Sequence, residues 1–177
     1  INASQYESEV LGGGSVVRVR AGDGAVTVGP DSVGFRLVTD ALIFGGKTVC
    51  ASDIAVAAGL ASFGDREKVR GLDPDVVGRA VAMIQEKLAK VVDGVKTTAA
   101  EMPLILIGGG SVLVDVSRKI PGISKCVFPE NFSSANAVGA ALPKVSGSAD
   151  MTFDFEKVPR DSAIEEARKA ATEKAVE

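Results

Sequence analysis

The chain has 177 residues, of which 46% are hydrophobic and 24% are charged, and its formal net charge is −3. This balance is typical of a domain with a real core, and the absence of a basic surplus argues against nucleic acid or an anionic membrane as a partner. The sequence contains no histidine, which removes Ser-His-Asp and Cys-His nucleophiles and most zinc chemistry. No apolar run approaches the roughly 20 residues of a membrane span, and we expect a cytoplasmic protein.

The first glycine triplet, Gly12-Gly13-Gly14, is closed by Ser15 and follows the apolar pair at 10–11. Residues 15–20 and 25–29 alternate and are rich in valine, and an Asp-Gly turn signal separates them. The segment therefore predicts a strand, a glycine turn, a strand, an Asp-Gly turn and a further strand. Successive N–H groups in such a glycine turn attract anions, phosphate above all.

Two helices are predicted next. Ser52 or Asp53 can serve as the N-cap of a short helix over 54–61. Asp73-Pro74 places a capping residue before a proline, which predicts the start of a long helix that ends between 94 and 100. Its apolar positions recur at steps of three and four residues: Val77, Val81, Ile84, Leu88, Val91, Val92 and Val95.

The second glycine triplet, Gly108-Gly109-Gly110, is closed by Ser111 and follows a predicted strand over 104–107. We expect a helix to begin near Ser111, an order that places helix N-terminal amides beside a ligand. The next predicted strand, 125–128, would pair with 104–107 in a parallel βαβ unit. The triplet does not match a dinucleotide fingerprint, because Leu113 stands where the third glycine would fall.

Beyond these strands, Ser133 or Ser134 is expected to cap a small-residue helix over 135–141, and 151–155 reads as a weak strand. A charged helix over 161–177 has no stop signal, and the chain begins without Met or a signal pattern, so we expect a piece of a longer protein. Cys50 and Cys126 lack metal spacing and are expected to be buried free thiols.

A glycine hairpin near the start and a strand-glycine-helix unit near the end resemble the C-terminal lobe of an actin-like ATPase, a superfamily that includes sugar kinases and Hsp70-type chaperones. More narrowly, the chain resembles the hydantoinase/oxoprolinase family. The segments that carry the resemblance are 11–17, 28–34, 39–42, 51–59, 106–111 and 129–141. Segments 28–34 and 131–141 are the more family-specific, because glycine loops are shared far more widely.

The resemblance implies an α/β fold of the ribonuclease-H-like or actin-like ATPase type. Its mixed sheet would combine an N-terminal antiparallel hairpin region with a parallel βαβ part, and helices would cover both faces. Residues 1–177 would form a single domain, one lobe of a larger two-lobe protein. The loop Gly12–Ser15 would hold the nucleotide phosphates, and Gly108–Ser111 would pack on the adenosine.

The resemblance also implies an activity: ATP- and magnesium-dependent hydrolysis of cyclic amides such as hydantoins or 5-oxoproline. Related chains serve in acetone carboxylase. The family's N-terminal lobe carries an acidic, Gly- and Thr-rich phosphate loop that this chain lacks, so the chain would need the missing lobe, and a companion hydantoinase subunit is a further expected partner. Where many members continue the Val-Gly-Pro segment with proline and cysteine, residues 35–39 read Phe-Arg-Leu-Val-Thr, which leaves the substrate open.

Simpler interpretations stay open beside these. The glycine triplets could be plain turns, so a sugar-kinase-like or chaperone-like ATPase lobe and a non-catalytic subunit-contact domain are alternatives. Catalytic residues are unassigned, and Asp53 as a cap, Lys47 as a solvated side chain and Arg36 as a structural ion pair are the simpler interpretations. The candidate carboxylates for magnesium or base chemistry are Asp31, Asp40, Asp53 and Asp115.

Overall fold

The computed structural model describes residues 9–141 and 147–176, and the chain divides into two compact units, Ile1–Ala135 and Asn136–Glu177. The strands are β1 (Ser15–Val19), β2 (Val26–Ser32), β3 (Met102–Ile105) and β4 (Ile123–Val127). The α-helices are α1 (Leu37–Asp40), α2 (Ala51–Ala57), α3 (Pro74–Val95), α4 (Ala135–Ala141) and α5 (Arg160–Val176). Short 3-10 turns cover Gly34–Arg36, Leu42–Phe44, Arg66–Val69, Gly109–Leu113 and Phe132–Ser134.

The fold is α/β, with an antiparallel hairpin and a parallel strand pair, as the sequence predicted. Within the described residues, β1 pairs with β2 antiparallel and β3 pairs with β4 parallel, in two separate two-stranded sheets where one mixed sheet was expected. The strand expected at 10–11 does not form. The Leu11 N–H donates to Glu9 O within its own segment, at 2.8 Å, and the Gly12 N–H donates to the Ser15 hydroxyl.

The main core lies where α2 and α3 pack on the hairpin. Alternation along the hairpin turns Val17, Val26 and Val28 inward, because successive side chains of a strand point to opposite faces. From α3, the apolar stripe supplies Val77, Ala80, Val81 and Ile84 to the same cluster, and Ile54 of α2 joins it. The 3.6-residue period of α3 thus determined which of its faces is buried.

Helix α3 begins where the sequence predicted, whereas α2 begins earlier than predicted. The Asp73 carboxylate accepts the Asp75 N–H at 2.8 Å, and Pro74 is the first helical residue. By contrast, α2 begins at Ala51 with Cys50 as its N-cap residue, so Asp53 lies in the first turn and accepts the Cys50 N–H. The helix ends at Ala57, because Gly59 adopts a left-handed conformation with φ of 74°.

The parallel pair is connected differently from the prediction. Strand β3 ends at Ile105, and the second glycine triplet leads into the 3-10 turn Gly109–Leu113 in place of an α-helix. This turn stops because Val114 adopts an extended conformation. The pair is nevertheless parallel, with Leu104 opposite Cys126.

The second unit contributes a long polar helix. Helix α5 agrees with the predicted helix over 161–177, except that Glu177 lies outside the described residues. Residues 151–155 do not form the weak strand that the sequence predicted. They lead into a turn, in which the Asp154 carboxylate accepts the Glu156 N–H and the Asp154 carbonyl accepts the Lys157 N–H.

Both thiols are free, and Cys50 is buried whereas Cys126 is half-buried. Burial, together with the charge of Asp53, raises the pKa of the Cys50 thiol to about 11, so it stays protonated at neutral pH. None of the helices within 9–141 and 147–176 is long and apolar enough to cross a membrane.

Replacing the cap of α3 tests how much its first turn stabilises the core. Asp73→Ala removes the acceptor of the Asp75 N–H, and we expect a loss of about 1 kcal/mol in the free energy of unfolding, measured by urea denaturation. Asp73→Ser keeps a capping oxygen and should retain most of that stability. Equal losses in both variants would contradict the capping role.

Candidate functional site

In the first glycine segment, Gly12–Ser15, each of the three glycine carbonyls accepts a hydrogen bond from a backbone N–H group. The Gly12 carbonyl accepts the Ser15 N–H at 2.9 Å, and the Gly14 carbonyl accepts the Val33 N–H at 3.0 Å. The Gly13 carbonyl accepts the N–H of Ser52, in the first turn of α2, also at 3.0 Å. Through these acceptors, the segment is tied to α2 and to the residue that follows β2.

Of the three glycine N–H groups in this segment, only one has an acceptor among the described residues. The Gly12 N–H donates to the buried Ser15 hydroxyl at 2.9 Å. The N–H groups of Gly13 and Gly14 find no acceptor among the residues that the structure describes. Two successive N–H groups without an acceptor among these residues carry positive potential, which suits an anion.

Packing explains why glycine occupies two of these positions. A Cβ on Gly13 would lie 2.6 Å from the Ser52 hydroxyl oxygen. A Cβ on Gly14 would lie 3.0 Å from the Ser32 hydroxyl oxygen and 3.3 Å from the Gly34 nitrogen. Close packing therefore accounts for these glycines whether or not a ligand binds.

The second glycine segment, Gly108–Ser111, is held at both ends. Gly108 has φ of 85°, a conformation that favours glycine, and its N–H donates to Phe132 O at 2.6 Å. Its carbonyl accepts the Ser111 hydroxyl at 2.7 Å and the Ser111 N–H at 3.2 Å.

Gly109 and Gly110 carry the stronger sign of a ligand. Both are exposed, and neither N–H has an acceptor within the described part of the chain. A Cβ on either residue would meet nothing within 4 Å, and neither has a positive φ. Since neither packing nor backbone conformation requires glycine here, close approach of a ligand to the backbone is a physical reason for it.

Helix α2 is in contact with both glycine segments, although they lie far apart in the sequence. Gly13 is hydrogen-bonded to Ser52 of α2, and the turn Gly109–Leu113 packs against the same helix. Leu11 and Leu113 also join one hydrophobic cluster. The two segments adjoin strands of different sheets, so helix α2, and not a common sheet, is the element that both contact.

Asp53, one of the candidate carboxylates, is fully buried. It accepts the Ile43 N–H at 2.8 Å and the Cys50 N–H at 2.6 Å. Burial raises the pKa of the Asp53 carboxyl above its ordinary value, and these hydrogen bonds oppose the rise. Asp53 is therefore part of the capping of α2 as the third helical residue, and not as the N-cap residue that the sequence suggested.

The other candidate carboxylates are paired with arginines at separate places. Asp31 pairs with Arg18, Asp40 with Arg36 and Asp115 with Arg118. The Ser117 hydroxyl is the main cause of a lowered pKa at Asp115, with Arg118 adding to it. Within the described residues, no three His, Cys, Asp or Glu side chains come together as a metal site, and Lys47 is exposed.

The structure also contains a cleft that the sequence did not reveal. Its volume is about 820 Å³, and its lining includes Arg66, Arg70 and Arg118 beside Glu67 and Asp115. The run Arg66-Glu67-Lys68-Val69-Arg70 was the only available signal, and a charged run of that kind usually marks a solvated turn.

No protein-family model matches the chain, and no curated protein matches it. Among solved structures, the chain is similar to acetone carboxylase in a nucleotide-free state, described in a work on ATP-dependent acetone carboxylation. The identity is 20% and the TM-score 0.57, over 92% of this chain and 28% of that chain. The likeness shows a shared fold, and this chain spans little more than a quarter of the length of its structural neighbour.

Removing the Asp53 carboxylate should destabilise the protein strongly. Asp53→Ala leaves two buried N–H groups without an acceptor, and we expect a loss of about 2–5 kcal/mol in the free energy of unfolding. Asp31→Ala breaks only an exposed ion pair and should cost about 0–1 kcal/mol in the same urea titration. A small effect at Asp53 would contradict its structural role.

The contact between Gly13 and Ser52 can be tested by compensation. Gly13→Ala forces a methyl group against the Ser52 hydroxyl and should lower the free energy of unfolding by about 1–3 kcal/mol. Adding Ser52→Ala removes the clashing oxygen, so the double variant should regain most of that loss. Additive losses in thermal unfolding would show that Gly13 is needed for another reason.

Proposed function

We propose that this chain is the nucleotide-binding lobe of an ATP-dependent enzyme, specifically a hydrolase of cyclic amides of the hydantoin or 5-oxoproline type. The observation that carries the proposal is the pair of N–H groups on each glycine segment that have no acceptor within residues 9–141 and 147–176, with both segments in contact with α2. In this proposal, each pair would donate to a different part of one bound nucleotide.

The two segments divide the nucleotide between them. The N–H groups of Gly13 and Gly14 would donate to phosphate oxygens, and the hydrogen bonds that the carbonyls of this segment accept would hold its backbone in place. Gly109 and Gly110 would lie against the adenosine, whose close approach their missing side chains permit. ATP would supply a phosphoryl group that makes an inert lactam a better electrophile.

The fold shared with acetone carboxylase supports ATP use, because that structure is described by ATP-dependent carboxylation. The cyclic amide rests on the sequence resemblance to the hydantoinase/oxoprolinase family. Segments 28–34 and 131–141 carry that finer part of the proposal.

The described residues do not assemble a magnesium site of their own. The four candidate carboxylates are buried or paired with arginines, and no three metal-ligating side chains converge within the described ranges. Magnesium would therefore depend on ligands from the nucleotide and from another part of the protein.

That other part is, in our proposal, the missing N-terminal lobe. Phosphoryl transfer needs charge-stabilising groups around all the phosphate oxygens, and these segments offer donors from one side. The exposed apolar side chains of Ile105 and Ile107, beside a parallel strand pair, also suit burial against more protein. The same exposure favours the alternative of a subunit-contact domain, whose partner could be a companion hydantoinase subunit.

Blocking the second glycine segment should abolish ATP binding without unfolding the protein. Gly109→Val fills an exposed, open position, so thermal stability should stay near that of the wild type while affinity for ATP is lost in calorimetry. Gly71→Val is the matched control, since Gly71 is also exposed and open but lies elsewhere. Unchanged affinity in Gly109→Val would count against the proposal.

Turnover should require more than this chain. With ATP, magnesium and hydantoin or 5-oxoproline, we expect no product from the 177-residue chain and ATP-dependent ring opening by a longer protein that contains it. Turnover by the 177-residue chain alone would refute the proposal that it contributes only one side of the ATP site. Inactivity of the longer protein on every cyclic amide would favour a sugar-kinase-like or chaperone-like ATPase.

A further inference from the structure

The arginine-lined cleft of the first unit has the dimensions of a small-molecule site. It lies between the end of α2, the turn Arg66–Val69, the start of α3 and the segment 115–118, and its volume is about 820 Å³. Pockets of about 300–1,000 Å³ are typical of ligand sites. Its floor is apolar and is formed by Leu60, Val69, Leu72, Val77 and Val81.

The charges around this floor favour an anion. Arg70 pairs with Glu67 at 2.8 Å, and Arg118 pairs with Asp115 at 3.0 Å, so two of the three arginines are partly neutralised. Arg66 has no carboxylate within salt-bridge distance in the described part of the chain. The cleft therefore keeps an excess of positive charge in a protein whose net charge is −3.

Gly78 is a second, independent sign of a ligand. It lies near the start of α3, where glycine lowers helix stability relative to alanine, and it lines the cleft. A Cβ there would meet nothing within 4 Å, and its φ is not positive. Neither packing nor backbone conformation explains glycine at this position. Its place in the cleft wall does explain it, because a missing side chain leaves room for a ligand.

We propose that this arginine cleft binds a small organic anion with a flat apolar body. The body would lie on the apolar floor against the backbone at Gly78, and the Arg66 guanidinium would pair with the oxyanion group. A planar guanidinium suits both parts, because it pairs bidentately with oxyanions and stacks on flat rings. The site is separate from the glycine segments, and its test does not depend on nucleotide binding.

The dye 1-anilinonaphthalene-8-sulfonate is a suitable probe, since it joins a flat apolar body to one sulfonate. In a fluorescence titration we expect one dye per chain, and Arg66→Gln should weaken its binding about tenfold by removing a charged hydrogen-bond donor. Lys68→Gln removes the same charge from a neighbouring residue that does not line the cleft, and should change affinity less than about twofold. Neutral N-phenyl-1-naphthylamine should bind the wild type and Arg66→Gln alike.

Substitutions at Gly78 test whether the apolar body of the ligand lies against this part of the cleft. Gly78→Ala should raise the melting temperature, because alanine favours the helix, and should nevertheless weaken dye binding by narrowing the cleft. Gly78→Leu should weaken it about tenfold or more, with circular dichroism confirming the fold. Equal affinities of Arg66→Gln and Lys68→Gln, or wild-type affinity in both Gly78 variants, would overturn the proposal.

Discussion

The first turn of α2 is the connection on which the rest of the first unit depends. Asp53 lies in it without exposure to solvent and accepts the N–H groups of Ile43 and Cys50. The Ser52 N–H holds the Gly13 carbonyl, and the turn at Gly109–Leu113 packs on the same helix. A buried carboxylate is costly unless its hydrogen bonds are made, so this turn tolerates little change and keeps both glycine segments in place.

The two glycine segments illustrate that one motif can have different physical causes. At Gly13 and Gly14 close packing disfavours a side chain, and at Gly108 a positive φ favours glycine. At Gly109 and Gly110 neither constraint applies. A glycine that the fold does not need lowers stability through backbone entropy, which is why the second pair carries more functional weight than the first.

The same reasoning extends to Gly78 in the arginine cleft, where a helix contains glycine without a packing reason. Two sites of different character would then lie in one unit: a set of backbone donors suited to phosphate, and a cleft whose arginines suit an organic anion.

The sequence by itself determined the elements with strong local signals. The alternation of the hairpin, the Asp73-Pro74 start of α3 and the parallel order of the last two strands were readable, because each depends on neighbouring residues. Only the tertiary structure decided that Asp53 is a buried acceptor for the distant Ile43 N–H, and that Arg66 and Arg118 line one cleft. Contacts between residues far apart in the chain depend on how helices pack, and local patterns carry no record of that packing.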